Sequence, residues 1–202
     1  MSEKKPFFHF LSDISKVYQR AAFKDVDKYT TPKQSPFLKL AQQRYSCRSF
    51  KSTPIKEEEL ASILEAGRLA PTAKNQQPIH MWVIKTPEGL EKLKKITPYS
   101  YDAPLAIMVT CKPEEAWVRK YDGKNGAEID AAIVGTHIMM EAAALGLGSV
   151  WVGSFDPAKV AELYPETEGW VPVVIFPIGY PAGEPSENHG KRKDWQVLVS
   201  DL

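Results

Sequence analysis

An α+β domain is what this sequence predicts, and three observations lead there. The chain has 202 residues, which suits one domain with a single core. Apolar runs of strand character at 80–85, 105–111, 149–152 and 171–180 are interspersed with helical stretches. The longest helical run, 127–145, is rich in alanine, and the other elements are expected to pack around it.

Taken in order, Ile14, Val17, Tyr18 and Ala21 recur at helical spacing and predict a helix over 12–23. Prolines at 32 and 36 interrupt helix, so 30–36 reads as a linker. Residues 1–35 are therefore expected to form an N-terminal helical extension and 36–202 the main domain. A short helix from Phe37 leads into Arg44. Glu57, Glu58 and Glu59 then stand where the positive end of a helix dipole favours carboxylates. Leu60, Ile63, Leu64 and Gly67 give that helix its apolar face, and Pro71 ends it. Residues 87–95 predict a short amphipathic helix between two strands. In the long run, Ile129, Ala132, Ile133, Thr136, His137, Met140, Ala143 and Ala144 are expected to pack one side, in the core or across a subunit interface. A turn at Gly146-Leu147-Gly148 precedes the 149–152 strand, and Gly153-Ser154-Phe155-Asp156 leads into a helix over 157–164. The tail 181–202 is polar and basic at Lys191-Arg192-Lys193, then apolar again at Trp195, Val197, Leu198 and Val199.

Charge and composition exclude several classes. With 26 basic and 25 acidic residues the formal charge is +1, so no general field attracts nucleic acid or an anionic membrane. No segment has the apolar length of a membrane span, and charges interrupt the N-terminal apolar run before a signal-peptide core is complete. Cys47 and Cys111 are too few for a disulfide framework, and a reducing cytoplasm is the expected home. His9, His80, His137 and His189 show no ligand pairing, and no serine lies in a G-x-S-x-G elbow. A dinucleotide reading of Gly146 and Gly148 fails, because the third glycine is missing and the order is helix to strand.

What remains is binding machinery. Arg44-Tyr45-Ser46-Cys47-Arg48 sets two guanidinium forks about a serine hydroxyl, a combination suited to a phosphate dianion or, failing a ligand, to a solvated basic turn. Asn75-Gln76-Gln77 offers three carboxamides, which suit the edge of a planar heterocycle or water alone. Phosphate cradle, amide loop, glycine turn and basic tail together point to a cofactor that brings its own reactivity, and flavin mononucleotide (FMN) meets each requirement.

The same residues resemble the FMN-dependent nitroreductases, from about Leu38 to Lys193. Arg44-Tyr45-Ser46-Cys47-Arg48-Ser49-Phe50 is similar to that family's R-x-S-x-R-x-F motif, which implies phosphate and ribityl contacts from Arg44, Tyr45, Ser46 and Arg48. Residues 70–78 resemble its A-P-S-x-x-N-x-Q-P motif, placing Pro71, Thr72, Asn75 and Gln77 about the flavin ring. Gly146-Leu147-Gly148-Ser149 and the following Val152-Gly153-Ser154 resemble its G-L-G-s stretch and loop, which implies a Gly153 backbone N–H at flavin N5. Lys191 and Lys193 resemble the closing K-x-R motif, with lysine in the last place. Ile79 departs from the family by standing where many relatives have Trp.

The resemblance implies a nitroreductase-like sandwich, a mainly antiparallel sheet flanked by helices, in a homodimer with FMN at the subunit interface. It assigns Arg44 and Asn75 of one copy, with Gly153 of the other, to one flavin. It implies ping-pong reduction of nitroaromatic, quinone or similar small-molecule acceptors by NADH or NADPH, with no catalytic side chain and no metal. A flavin enzyme of other outcome on the same fold, or a non-catalytic FMN-binding protein, is the alternative.

Overall fold

The computed structural model describes residues 31–202. The helix expected over 12–23 lies outside the described residues. A compact unit spans Phe37–His189, and Gly190–Leu202 falls outside it. That tail has little with which to build a core of its own. Its one helix covers four residues, and Val197 and Leu198 are exposed.

The elements follow the hydrophobic pattern closely. Helix α1 spans Pro36–Gln43, α2 Glu57–Leu69, α3 Pro87–Ile96, α4 Ala127–Ala144, α5 Pro157–Leu163 and, in the tail, α6 Trp195–Leu198. Strands β1 Ile79–Ile84, β2 Leu105–Cys111, β3 Gly148–Ser149 and β4 Val171–Gly179 form one antiparallel sheet in the order β1-β2-β4-β3. Short 3-10 turns cover Ala73–Asn75, Pro113–Glu115 and Pro165–Thr167.

Capping explains where the helices begin. The Glu59 carboxylate accepts from the Lys56 N–H at 3.0 Å and from the Tyr180 hydroxyl at 2.7 Å, which closes the first turn of α2 and ties it to the end of β4. Thr86 caps α3 by accepting from the Gly89 N–H, and Asp156 caps α5 by accepting from the N–H groups of Ala158 and Lys159.

Period-two alternation divides the sheet into two buried faces. Leu105, Ile107, Val109 and Cys111 of β2, with Val174, Phe176 and Ile178 of β4, pack against Ile63 of α2 and Ala131, Val134 and Ile138 of α4. Ala106 and Met108, with Ile175, face Leu93 and Ile96 of α3 and Val160 of α5. The result is a helix–sheet–helix sandwich, as the sequence predicts.

Two expectations change. The 149–152 strand shrinks to Gly148–Ser149 with a separate bridge from Val152 to Ile175, because Val150 and Trp151 leave the ladder. Of the two places open to the face named for α4, the core is excluded. The helix buries Ala127, Asp130, Ala131, Val134, Gly135, Ile138 and Ala142, and Gly135 lies so close to the sheet that a Cβ there would meet the Phe176 ring at 2.8 Å. Ile129 and Thr136 are exposed and Ala132, Ile133, His137 and Met140 are half-buried. A helix apolar on all sides gives periodicity no single answer.

Candidate functional site

After α1 the chain extends along the edge of the sheet. Ser46 bridges Ser149 in parallel, the Cys47 N–H donates to the Ser149 carbonyl at 3.0 Å, and the Lys51 N–H donates to the Tyr180 carbonyl at 2.8 Å. Gly148 permits this approach, since a Cβ there would lie 2.7 Å from both Cβ and Sγ of Cys47. Cys47, read from sequence as part of a basic turn, is 1% exposed and acts as the peg of the segment.

Docked in this way, the segment divides its side chains. Cys47 turns inward, whereas Ser46 and Arg48 are exposed and Arg44 and Tyr45 are half-buried. Arg44 Nη1 lies 3.7 Å from Met139 Sδ of α4, and the Tyr45 hydroxyl donates to the Gly183 carbonyl at 2.7 Å. Burial, followed by Cys47 and Glu184, pushes the Tyr45 hydroxyl up to about 12, so it stays a neutral donor. Arg48 Nη1 reaches back to the Ser46 carbonyl at 3.2 Å. A cavity of about 130 Å³ opens here, lined by Arg44, Tyr45, Gly146, Gly148, Ser149 and Pro181 among others. Guanidinium, phenol and glycine backbone around a small opening fit a phosphate or sugar group.

The amide loop is built from residues in an unusual conformation. Lys74, Asn75 and Gln77 have φ of 54°, 55° and 54°, in the left-handed region that non-glycine residues seldom enter. Thr72 holds the loop from within, its carbonyl accepting from the Asn75 N–H at 2.9 Å and its hydroxyl from the Gln77 N–H at 3.0 Å. The Gln77 carboxamide donates to the Asn75 carbonyl at 3.2 Å. Pro71, Asn75 and Gln77 are exposed. The Ala73 N–H donates to Asp130 Oδ1 of α4 at 2.9 Å.

The third segment follows β3 and leaves the sheet after Val152, which bridges Ile175 and is buried. Gly153 and Ser154 are exposed, and the Gly153 N–H has no acceptor among the described residues. The Ser154 carbonyl is held by the Thr97 hydroxyl at 2.7 Å, and Trp151 stands edge-on to Phe176 with ring centroids 5.2 Å apart.

The structure separates residues that the sequence reading put together. Ser46 lies beside Ser149, which pairs with Ile178 near one end of β4. The amide loop enters β1 at Ile79, level with Cys111 and hence with Val171 at the other end. Seven strand residues separate these levels, about 23 Å. Along α4, Asp130 and Met139 are about 14 Å apart. Val152 pairs with Ile175, between the two ends. In one chain, therefore, Gly153 shares its edge of the sheet with Arg44 and Ser46, and Asn75 does not. Within one chain the arginine segment and the amide loop thus stand at opposite ends of the sheet. Lys191 and Lys193 belong to the Gly190–Leu202 unit, where Arg192 Nη1 donates to the Lys191 carbonyl.

Residues 41–98 and 97–180 match the model of the nitroreductase family. The chain belongs to the nitroreductase family. A Methanothermobacter thermautotrophicus protein provisionally named NADH dehydrogenase/NAD(P)H nitroreductase is 32% identical to it, the match covering 73% of this chain and 78% of that one. Among solved structures, a nitroreductase family protein from Clostridium difficile 630 is 39% identical with a TM-score of 0.77, covering 82% of this chain and 98% of its own. A Desulfovibrio desulfuricans chain solved in complex with FMN is 26% identical with a TM-score of 0.70, covering 84% and 98%.

Among the described residues, other regions of this nitroreductase-family chain carry no competing chemistry. A larger cavity of about 370 Å³ lies on the α3–α5 side of the sheet, between Trp82, Met108 and Tyr164. Its lysine, Lys92, is paired with Glu88, and Glu166 adds a further carboxylate, so it does not suit a phosphate. Among the described residues no group of His, Cys, Asp and Glu could hold a metal ion, and no helix is long and apolar enough to cross a membrane. His80 packs against Trp82 and Trp170, and His137 bonds to the Ile133 carbonyl of its own helix. Asp130 was not among the site residues expected from sequence, since an acidic residue in a first turn is ordinary there. Its spacing from Val134 and Ala127, on the face that is in fact buried, was the available signal.

Proposed function

We propose that this chain is an FMN-dependent oxidoreductase that transfers two electrons from NADH or NADPH to an electron-poor acceptor, a nitroaromatic or quinone, in ping-pong order. The observation that carries the reading is the docked Arg44–Arg48 segment, which sets the Arg44 guanidinium on a small cavity at the glycine turn. Family membership and the FMN complex of the Desulfovibrio desulfuricans neighbour support it. When bound, FMN supplies the hydride chemistry.

The residues divide the remaining work. Arg44 and Arg48 neutralise the phosphate, and Tyr45 and Ser46 meet the ribityl chain. Asn75 and Gln77 bond the edge of the ring, and Pro71, Thr72, Val152 and Ser154 wall the site. The Gly153 N–H is a fixed donor that costs no reorganisation when charge develops beside it.

A homodimer completes this site. Two observations support it: α4 presents an apolar face with Ile129 48% exposed, and the two halves of the site lie at opposite ends of one sheet. Arg44 and Gly153 of one copy thus share a flavin with Asn75 of the other. We take 36–202 as the FMN-binding domain and 1–35 as an extension. Both cysteines are free and buried, which fits a reducing cytoplasm.

Anaerobic mixing of the purified, FMN-loaded protein with NADH and then NADPH tests the reading. The yellow flavin is expected to bleach with at least one donor and to recover its colour on adding a quinone or nitroaromatic. A flavin that neither donor bleaches ends the reductase reading in favour of a binding protein.

A further inference from the structure

We propose that Asp130 is a positioning residue that holds the amide loop in the form in which Asn75 meets the flavin ring. This rests on the FMN reading above and assigns to it a residue that does not itself touch the cofactor.

The loop cannot hold its own shape cheaply. Three of its residues sit in the left-handed region, and the bonds from Thr72 and Gln77 are internal to it. At its exit the Pro78 carbonyl accepts from the Lys112 N–H at 2.9 Å, which extends the β1–β2 ladder. At its entrance the tie to the core is the 2.9 Å bond from the Ala73 N–H to Asp130 Oδ1, a charge-assisted bond made one residue before the strained turn.

Asp130 is also an expensive choice for that position. It is 2% exposed, on the face of α4 that Ala127, Ala131 and Val134 share, and its Oδ2 has no partner among the described residues. Its charge reaches Cys111, where burial first, then Glu128, Glu114 and Asp130, push the thiol up to about 11. No gain in packing accounts for a half-satisfied carboxylate in an apolar stripe, since a buried acceptor without a donor opposes folding. What Asp130 does provide is the grip on Ala73. Asn75, two residues on, then points its exposed carboxamide from a loop that cannot relax.

The test is a double-mutant cycle on FMN affinity in the full-length chain, read by quenching of flavin fluorescence, with D130A, N75A and the double variant. If Asp130 acts through Asn75, each single change weakens FMN by about tenfold and the double variant is hardly weaker than N75A. Losses that multiply to about a hundredfold overturn the proposal, as does either single variant that binds FMN like wild type. The conservative D130N keeps a carbonyl for the Ala73 N–H and is expected to retain FMN affinity within about threefold. A loss in D130N as large as in D130A also overturns it, and D130N carries the test if D130A does not fold. Failure of the wild-type chain to bind FMN counts against the parent reading and is distinguishable from all of these.

Discussion

Replacing Arg44 by alanine should weaken FMN binding by about 1.5–3 kcal/mol, tenfold or more, because a charge-assisted contact to a phosphate is lost. Arg48→Ala should cost less. Arg44 is half-buried, lines the cavity and is steadied by Met139 of α4, so it meets a ligand with little side-chain freedom left to lose. Arg48 is exposed and held by one bond to the Ser46 carbonyl, and water screens its charge. Titration of FMN into each purified variant measures both effects, and their order is part of the expectation. Equal, wild-type affinity in the two would remove the phosphate role from this segment.

Gly148→Ala should be costly for a different reason. The added Cβ would lie 2.7 Å from Cβ and Sγ of Cys47, and Cys47 cannot swing aside because its N–H is bonded to the Ser149 carbonyl and its side chain is buried. Overpacking of this kind costs about 1–3 kcal/mol. The expected result is a lowered melting temperature together with weakened FMN, since the strain falls on the segment that carries Arg44 and Arg48. Gly146→Ala is the comparison. At φ +76° it bears a left-handed penalty of roughly 1–2 kcal/mol, but a Cβ there meets nothing within 4 Å. It should lower stability without loosening the arginines. Loss of FMN in Gly146→Ala equal to that in Gly148→Ala would show that the Cys47 contact is not what matters.

Much of this molecule is legible in its sequence because the signals are local. Glu57-Glu58-Glu59 marks the start of α2, and the strand runs at Ile79, Leu105 and Val171 alternate between two buried faces. Arg44 to Arg48 and Asn75 to Gln77 are each contiguous, so their chemistry can be read without knowing the fold. What the sequence hides is non-local. Which face of α4 meets the core is one such feature, because Ile129 and Ile133 are as apolar as Val134 and Ile138, and only the sheet decides which pair is covered. Asp130 looked like any acidic residue in a first turn, since its partner Ala73 is 57 positions away. The separation of Arg44 from Asn75 follows from strand register, which no motif spacing contains.

That separation has a genetic consequence. In the homodimer proposed above, a mixed pair of one Arg44→Ala copy and one Asn75→Ala copy would place both lesions on the same flavin and leave the other site with intact residues. Two variants weakened in FMN binding should therefore complement, restoring up to one full-affinity site per mixed pair, whereas Arg44→Ala and Gly153 lesions, carried on the same edge of the sheet, should not. Co-expression of differently tagged copies and titration of FMN into the mixed species would read this directly, and on the proposed arrangement each polypeptide would be the keeper of its neighbour's phenotype.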